Sequence, residues 1–99
     1  MRYNRGMKLW IKTICGEKIT ADTVVETTSS RIDENELATI LGEFADKFDF
    51  SSPVILPAHI KKLNEFNITR FSPSDFIHSV DFNALVIEVI KEKAKDNYR

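Results

Sequence analysis

Leu9-Trp10-Ile11-Lys12-Thr13-Ile14-Cys15, then Gly16-Glu17-Lys18, then Ile19-Thr20-Ala21-Asp22-Thr23-Val24-Val25-Glu26: this stretch decides the fold. Two runs rich in Ile, Val, Thr and Trp flank a short segment containing glycine, which is the composition of two strands and a tight reversal. The spacing predicts a β-hairpin. Its register decides what is buried, because a slip of one residue exchanges the two faces. With Gly16-Glu17-Lys18 as a three-residue loop, Leu9, Ile11, Thr13 and Cys15 share a core face with Ile19, Ala21, Thr23 and Val25. The opposite face then carries Trp10, Lys12 and Ile14 beside Thr20, Asp22 and Val24. A shifted register would put Trp10 beneath a helix instead.

Downstream of the hairpin, Thr27 to Arg31 has turn composition, and Asp33 and Glu36 stand at capping-box spacing with Ile32 and Leu37 placed as a hydrophobic staple. A long helix is expected from about Glu34, because Leu37, Ile40, Leu41, Phe44 and Phe48 form one stripe of helical period. Ser51-Ser52-Pro53 ends it. Pro57 opens a shorter helix with Ile60, Leu63 and Phe66 inward and Asn67 near its end. Ser72-Pro73-Ser74-Asp75 starts one or two further turns containing Phe76 and Ile77. After a turn at Asp81-Phe82-Asn83, the run from Leu85 to Ile90 is broken only by Glu88, as in a strand covered on both faces. The expected fold is therefore α+β: a three-stranded sheet, hairpin plus C-terminal strand, with one long and one or two short helices packed on one face. The last strand lies beside the first, in the order 2-1-3. Residues 1–7 read as a loose N-terminal extension, 8–90 as a single domain and 91–99 as a charged C-terminal tail.

Length and composition bound the function. The chain has 99 residues, 42% hydrophobic and 29% charged, with fourteen basic against fifteen acidic side chains. One small domain is expected rather than a multidomain enzyme. The longest apolar run is Ala84-Leu85-Val86-Ile87, far short of the roughly 18 residues of a membrane-spanning helix, and the start of the chain lacks the pattern of a secretory signal. A cytoplasmic protein without membrane contact is expected. Asn67-Ile68-Thr69 matches a glycosylation acceptor, but without a secretory route Asn67 reads as the residue that ends a helix.

The chemistry-bearing residues are few. Cys15, His59 and His78 lack metal-ligand spacing, and neither a metal nor any other cofactor is expected. Cys15 borders the hairpin turn, where a small apolar side chain completing the inward face is a simpler role than nucleophile. His59 is expected on the surface of the second helix, and His78 at the close of the short turn. No nucleophile elbow or glycine-rich phosphate loop is present, and three glycines leave nothing from which to build one. Lys61, Lys62 and Arg70, interleaved with Phe66 and Phe71, form a candidate patch for anions or nucleic acid, which the overall charge balance opposes. Arg70 could instead pair with Asp75 or Asp81.

Lys8-Leu9-Trp10-Ile11-Lys12, Thr69-Arg70-Phe71 and the run from Val80 to Ile90 resemble small uncharacterised proteins of Firmicute bacteria, a likeness spanning roughly residues 7–90. The resemblance implies a bacterial cytoplasmic setting and transfers no functional residue. The leading functional expectation is a small non-catalytic module that associates with itself as a homodimer or binds a protein partner. Its candidate interface is the sheet face away from the helices, with Trp10, Ile14, Val24, Val86 and Ile90. The alternative is a nucleic-acid-associated accessory protein.

Overall fold

The computed structural model describes residues 6–27 and 31–90. The readings of an N-terminal extension, of the turn at residues 28–30 and of the tail at 91–99 fall outside these residues, except at Gly6 and Met7. Met7 is tied down: its carbonyl accepts the Thr27 N–H at 2.9 Å, and its own N–H donates to Thr27 Oγ1 at 3.2 Å.

The fold is α+β with an antiparallel sheet, as expected, but the sheet has four strands. Strands β1 (Lys8–Cys15) and β2 (Lys18–Glu26) form the hairpin. Strand β4 (Ala84–Ile90) pairs with the other side of β1, and β3 (Ile68–Phe71) pairs with β4, giving the order β2-β1-β4-β3. The C-terminal strand does lie beside the first. The strand absent from the sequence reading is β3. Asn67 ends the preceding helix in the left-handed conformation, φ 66°, and lets Ile68 to Phe71 run back along β4 as a short edge strand of alternating burial.

The hairpin keeps the expected faces along most of its length. Leu9 stands opposite Val25, Ile11 opposite Thr23 and Thr13 opposite Ala21. At the tip the register shifts, so that Ile14 faces Ile19 and Cys15 faces Lys18. The loop is therefore Gly16-Glu17, and Thr20 is the extra residue of a β-bulge. Gly16 alone takes positive φ, 65°, as the first central residue of a type II′ turn must. Thr20 Oγ1 lies 2.7 Å from Thr13 Oγ1 and donates to the Thr13 carbonyl at 3.3 Å. Two expectations fail for this reason. The bulge turns Ile19 to the side of Ile14, where it is 48% exposed, and Cys15 reaches solvent instead of completing the core.

Helix α1 (Glu34–Phe48) starts where expected, with Asp33 accepting the Glu36 N–H at 2.8 Å. Leu37, Ile40, Leu41 and Phe44 are buried against the sheet residues Leu9, Ile11, Leu85 and Ile87. Phe48 is only at the margin of the core, its ring 4.9 Å from that of Phe44, and Asp49 with left-handed φ of 67° stops the helix before Ser51-Ser52-Pro53. Phe50 then turns inward and packs on the rings of Phe44 (5.8 Å) and Phe82 (5.1 Å).

Helix α2 (Pro57–Phe66) has proline at its first position. Its inward face is His59, Leu63 and the partly buried Ile60, so that of the expected Ile60, Leu63 and Phe66 only Phe66 fails, being 66% exposed. Asn64 fixes the entry to α1, donating to the Ile32 carbonyl at 2.9 Å and accepting its N–H at 3.0 Å. The Ser72 start signal produces a single 3-10 turn, Pro73–Asp75, with Asp75 accepting the Ser72 N–H. Phe76 follows in extended conformation and is buried.

Candidate functional site

With both helices on one side, the alternating residues of all four strands face the other way. Trp10 stands beside Val24 on one side and Glu88 on the other, and Glu88 beside Ile68. In the next row Lys12 lies between Asp22 and Val86, with Arg70 beyond. Lys8 lies between Glu26 and Ile90, and Ile14 between Ile19 and Ala84. The five candidate interface residues therefore share this face. The register that would put Trp10 beneath α1 does not occur, since Leu9 holds that position in the core.

The face is closed at its centre by its own side chains. Lys12 Nζ lies 3.4 Å from the centre of a Trp10 ring and 3.0 Å from Glu88 Oε1, and its side chain is 12% exposed. Its ammonium is held by a π face and a carboxylate at once. Trp10 Nε1 donates to Asp22 Oδ2 at 2.9 Å, so the indole has a fixed orientation. Val86 is buried beneath these long neighbours, whereas Val24 and Ile68 at the two outer strands are 52% and 44% exposed. A weaker pair, Lys8 with Glu26 at 4.0 Å, closes one end.

The cationic candidates do not come together. Lys61 and Lys62 are exposed on α2, in the helical layer, while Arg70 belongs to the opposite face of the sheet. Arg70 pairs with neither Asp75 nor Asp81 among the described residues; Asp75 is turned to Ser72 and His59.

His59 is buried, contrary to expectation. Its ring stacks on Phe71 with centroids 4.0 Å apart, Nδ1 accepts the Leu56 N–H at 2.9 Å, and Nε2 lies 3.7 Å from Asp75 Oδ2. Burial lowers its pKa, Asp75 pulls it back up, and Lys62 lowers it further. With one nitrogen committed to the backbone and the other facing a carboxylate, this imidazole joins α2 to β3 and the 3-10 turn. Residue type hid it; the spacing His59, Leu63 on one helix face was the available signal. His78 is exposed in an open depression of about 610 Å³ with Asp46, Asp49 and Asp81. Among the described residues no group of three or more His, Cys, Asp or Glu is arranged to hold a metal ion.

Among the described residues no helix is long and apolar enough to cross a membrane. Compared with protein-family models, curated proteins and solved structures, the chain matches none.

Proposed function

We propose that this protein is a small non-catalytic interaction module of the bacterial cytoplasm that works by binding a protein surface through the open face of its sheet. The observation that supports this reading is the placement of Trp10 on a face that carries no second layer among the described residues, flanked by the half-exposed Val24 and, beyond Glu88, Ile68. Tryptophan in an oriented, partly covered position is a side chain on which binding energy concentrates. The two imidazoles and the one thiol offer no competing chemistry: His59 is buried with Nδ1 accepting the Leu56 N–H and Nε2 turned to Asp75, His78 stands among solvated acids, and Cys15 sits at the hairpin tip.

A photo-crosslinking side chain placed at Val24 in the full chain tests the reading. It is expected to form adducts with protein, whether another copy or a different chain, in extract of the native cell. The same probe at Phe66, exposed on α2, is the control. Adducts at Phe66 with none at Val24 would overturn the proposal. So would binding to random single-stranded nucleic acid that weakens steeply with salt, the behaviour of a phosphate-binding surface.

A further inference from the structure

Resting on the reading that the open face is the interaction surface, we infer that its occupant is a second copy of this chain, stacked face to face about a two-fold axis parallel to the strands. The first argument is charge. The face carries Lys8, Lys12 and Arg70 against Asp22, Glu26 and Glu88, three of each sign. Such a balanced surface attracts neither a polyanion nor a basic partner, and it does not repel itself.

The second argument is where the unspent charges lie. Lys8 meets Glu26 and Lys12 meets Glu88. Arg70, on the outer strand β3, has no ion pair among the described residues. Asp22, on the outer strand β2, has the Trp10 indole but no cation among the described residues, because the ammonium of its neighbour Lys12 is turned to the Trp10 ring and Glu88. Asp22 and Arg70 stand at opposite ends of one row, Asp22-Lys12-Val86-Arg70.

An axis running between β1 and β4, parallel to them, exchanges β2 with β3 and keeps every row. It sets each Arg70 over Asp22 of the second copy. In the adjacent row it sets each Ile68 over Val24 of the second copy, so the two most exposed apolar side chains of that row cover each other. Both contacts occur twice, as an isologous interface demands, and aligned stacking of two twisted sheets is an ordinary packing mode. The competing arrangements fail on the same map. An axis across the strands, centred between these two rows, sets Arg70 on Ile68 and Asp22 on Val24, so neither outer charge meets its opposite. Edge pairing of β2 with β2 leaves Arg70 on the far strand without its opposite and runs along a strand interrupted by the Thr20 bulge.

Charge reversal in the full chain tests this, with reductant present to exclude disulfides through the exposed Cys15. Analytical ultracentrifugation of the parent is expected to show a dimer. Arg70→Asp and Asp22→Arg should each weaken it at least about tenfold, and the double variant should recover most of the loss. Circular dichroism of each variant checks that it is folded, and Arg70→Ser with Asp22→Asn supplies a milder pair should the reversals unfold. A dimer indifferent to both single changes overturns the two-fold arrangement. A parent that stays monomeric while the Val24 probe captures a different protein overturns self-association and leaves the open face as the interaction surface. A monomer with no adduct at Val24 overturns both.

Discussion

The two faces of this sheet are closed by different means. On the inner face Leu9, Ile11, Phe71, Leu85 and Ile87 are fully buried because two helices lie over them, with Leu37, Leu41 and Leu63 completing the layer. On the outer face no helix of the described residues covers the strands, yet Val86 is buried as well and the Lys12 side chain is nearly so. There the cover is made by long side chains lying along the sheet, as the stem of Lys12 does across Trp10. A small domain can thus exclude water from the middle of an uncovered sheet without a second layer. What it cannot shield are the outer strands, where Val24 and Ile68 stay half exposed.

The comparison would break if the two faces responded alike to truncation. Phe44→Ala removes a ring from beneath the inner face and is expected to cost about 3 to 5 kcal/mol. Val24→Ala on the outer face, measured at a protein concentration low enough to keep the chain monomeric, is expected to stay within about 0.5 kcal/mol. Urea denaturation of both variants measures the contrast, and equal losses would mean that the outer face is as much a core as the inner one. Lys12→Met sharpens it further. The substitution keeps most of the stem and removes the charge that binds Trp10 and Glu88. Glu88 is itself substantially exposed, so the ion pair contributes little and the ring contact most of a loss of about 1 kcal/mol. An unchanged midpoint would show that the stem alone closes the face.

These differences also mark what could be read from residue order. The alternation Leu9, Ile11, Thr13 against Trp10, Lys12, Ile14 assigns the two faces, because period two leaves just two choices and the aliphatic set is more apolar on one of them. Helix α1 is legible from both its cap and its stripe. The bulge at Thr20 is not, since it is decided by a hydroxyl bonding back across the hairpin to Thr13. Strand β3 is hidden by its brevity: Ile68 to Phe71 is four residues long, and Phe66 ahead of it continues the apparent helical stripe. The pairing of Ile68 with Glu88 and of Arg70 with Val86, which completes the candidate face, depends on that unseen strand. On this face Trp10, Lys12, Ile14, Asp22 and Val24 are legible in the hairpin alternation, whereas Ile19 depends on the bulge and Ile68 and Arg70 on the unseen strand.

Inside the covered face one polar atom is out of place. Thr69 Oγ1 is buried without a hydrogen-bond partner, on the strand that packs against α2. Thr69→Val preserves the branched shape and removes the hydroxyl, so a gain of up to about 1 kcal/mol is expected. A loss in thermal or urea denaturation would mean that the hydroxyl is satisfied by water in solution.

The smallest expected effect is a pH dependence, and it also separates the faces, because His59 lies in the inner layer. Burial and the charge of Lys62 push the pKa of its imidazole down, and Asp75 pulls it up. Burial against Phe71 disfavours the charged form, while Asp75 across 3.7 Å favours it, and burial wins, so the pKa in the folded state lies below the ordinary 6.5. Between the two values the unfolded chain binds more protons than the folded one, and stability therefore falls as pH drops below about 6.5. Its contribution is complete above that pH. The attraction of Asp75 keeps the net slope shallow. Protonation has a second consequence in the geometry: Nδ1 accepts the Leu56 N–H at the start of α2, and an imidazolium cannot accept it. Loss of stability on acidification should therefore be accompanied by faster exchange of the Leu56 amide, measurable by hydrogen exchange at about pH 7.5 and about pH 5.5 after correction for the intrinsic rate. His59→Gln, whose side-chain oxygen can still accept a hydrogen bond, should flatten the slope in this window. If the variant retains the full pH dependence of the parent, the titrating group is not His59, and the link between α2 and β3 is insensitive to its charge.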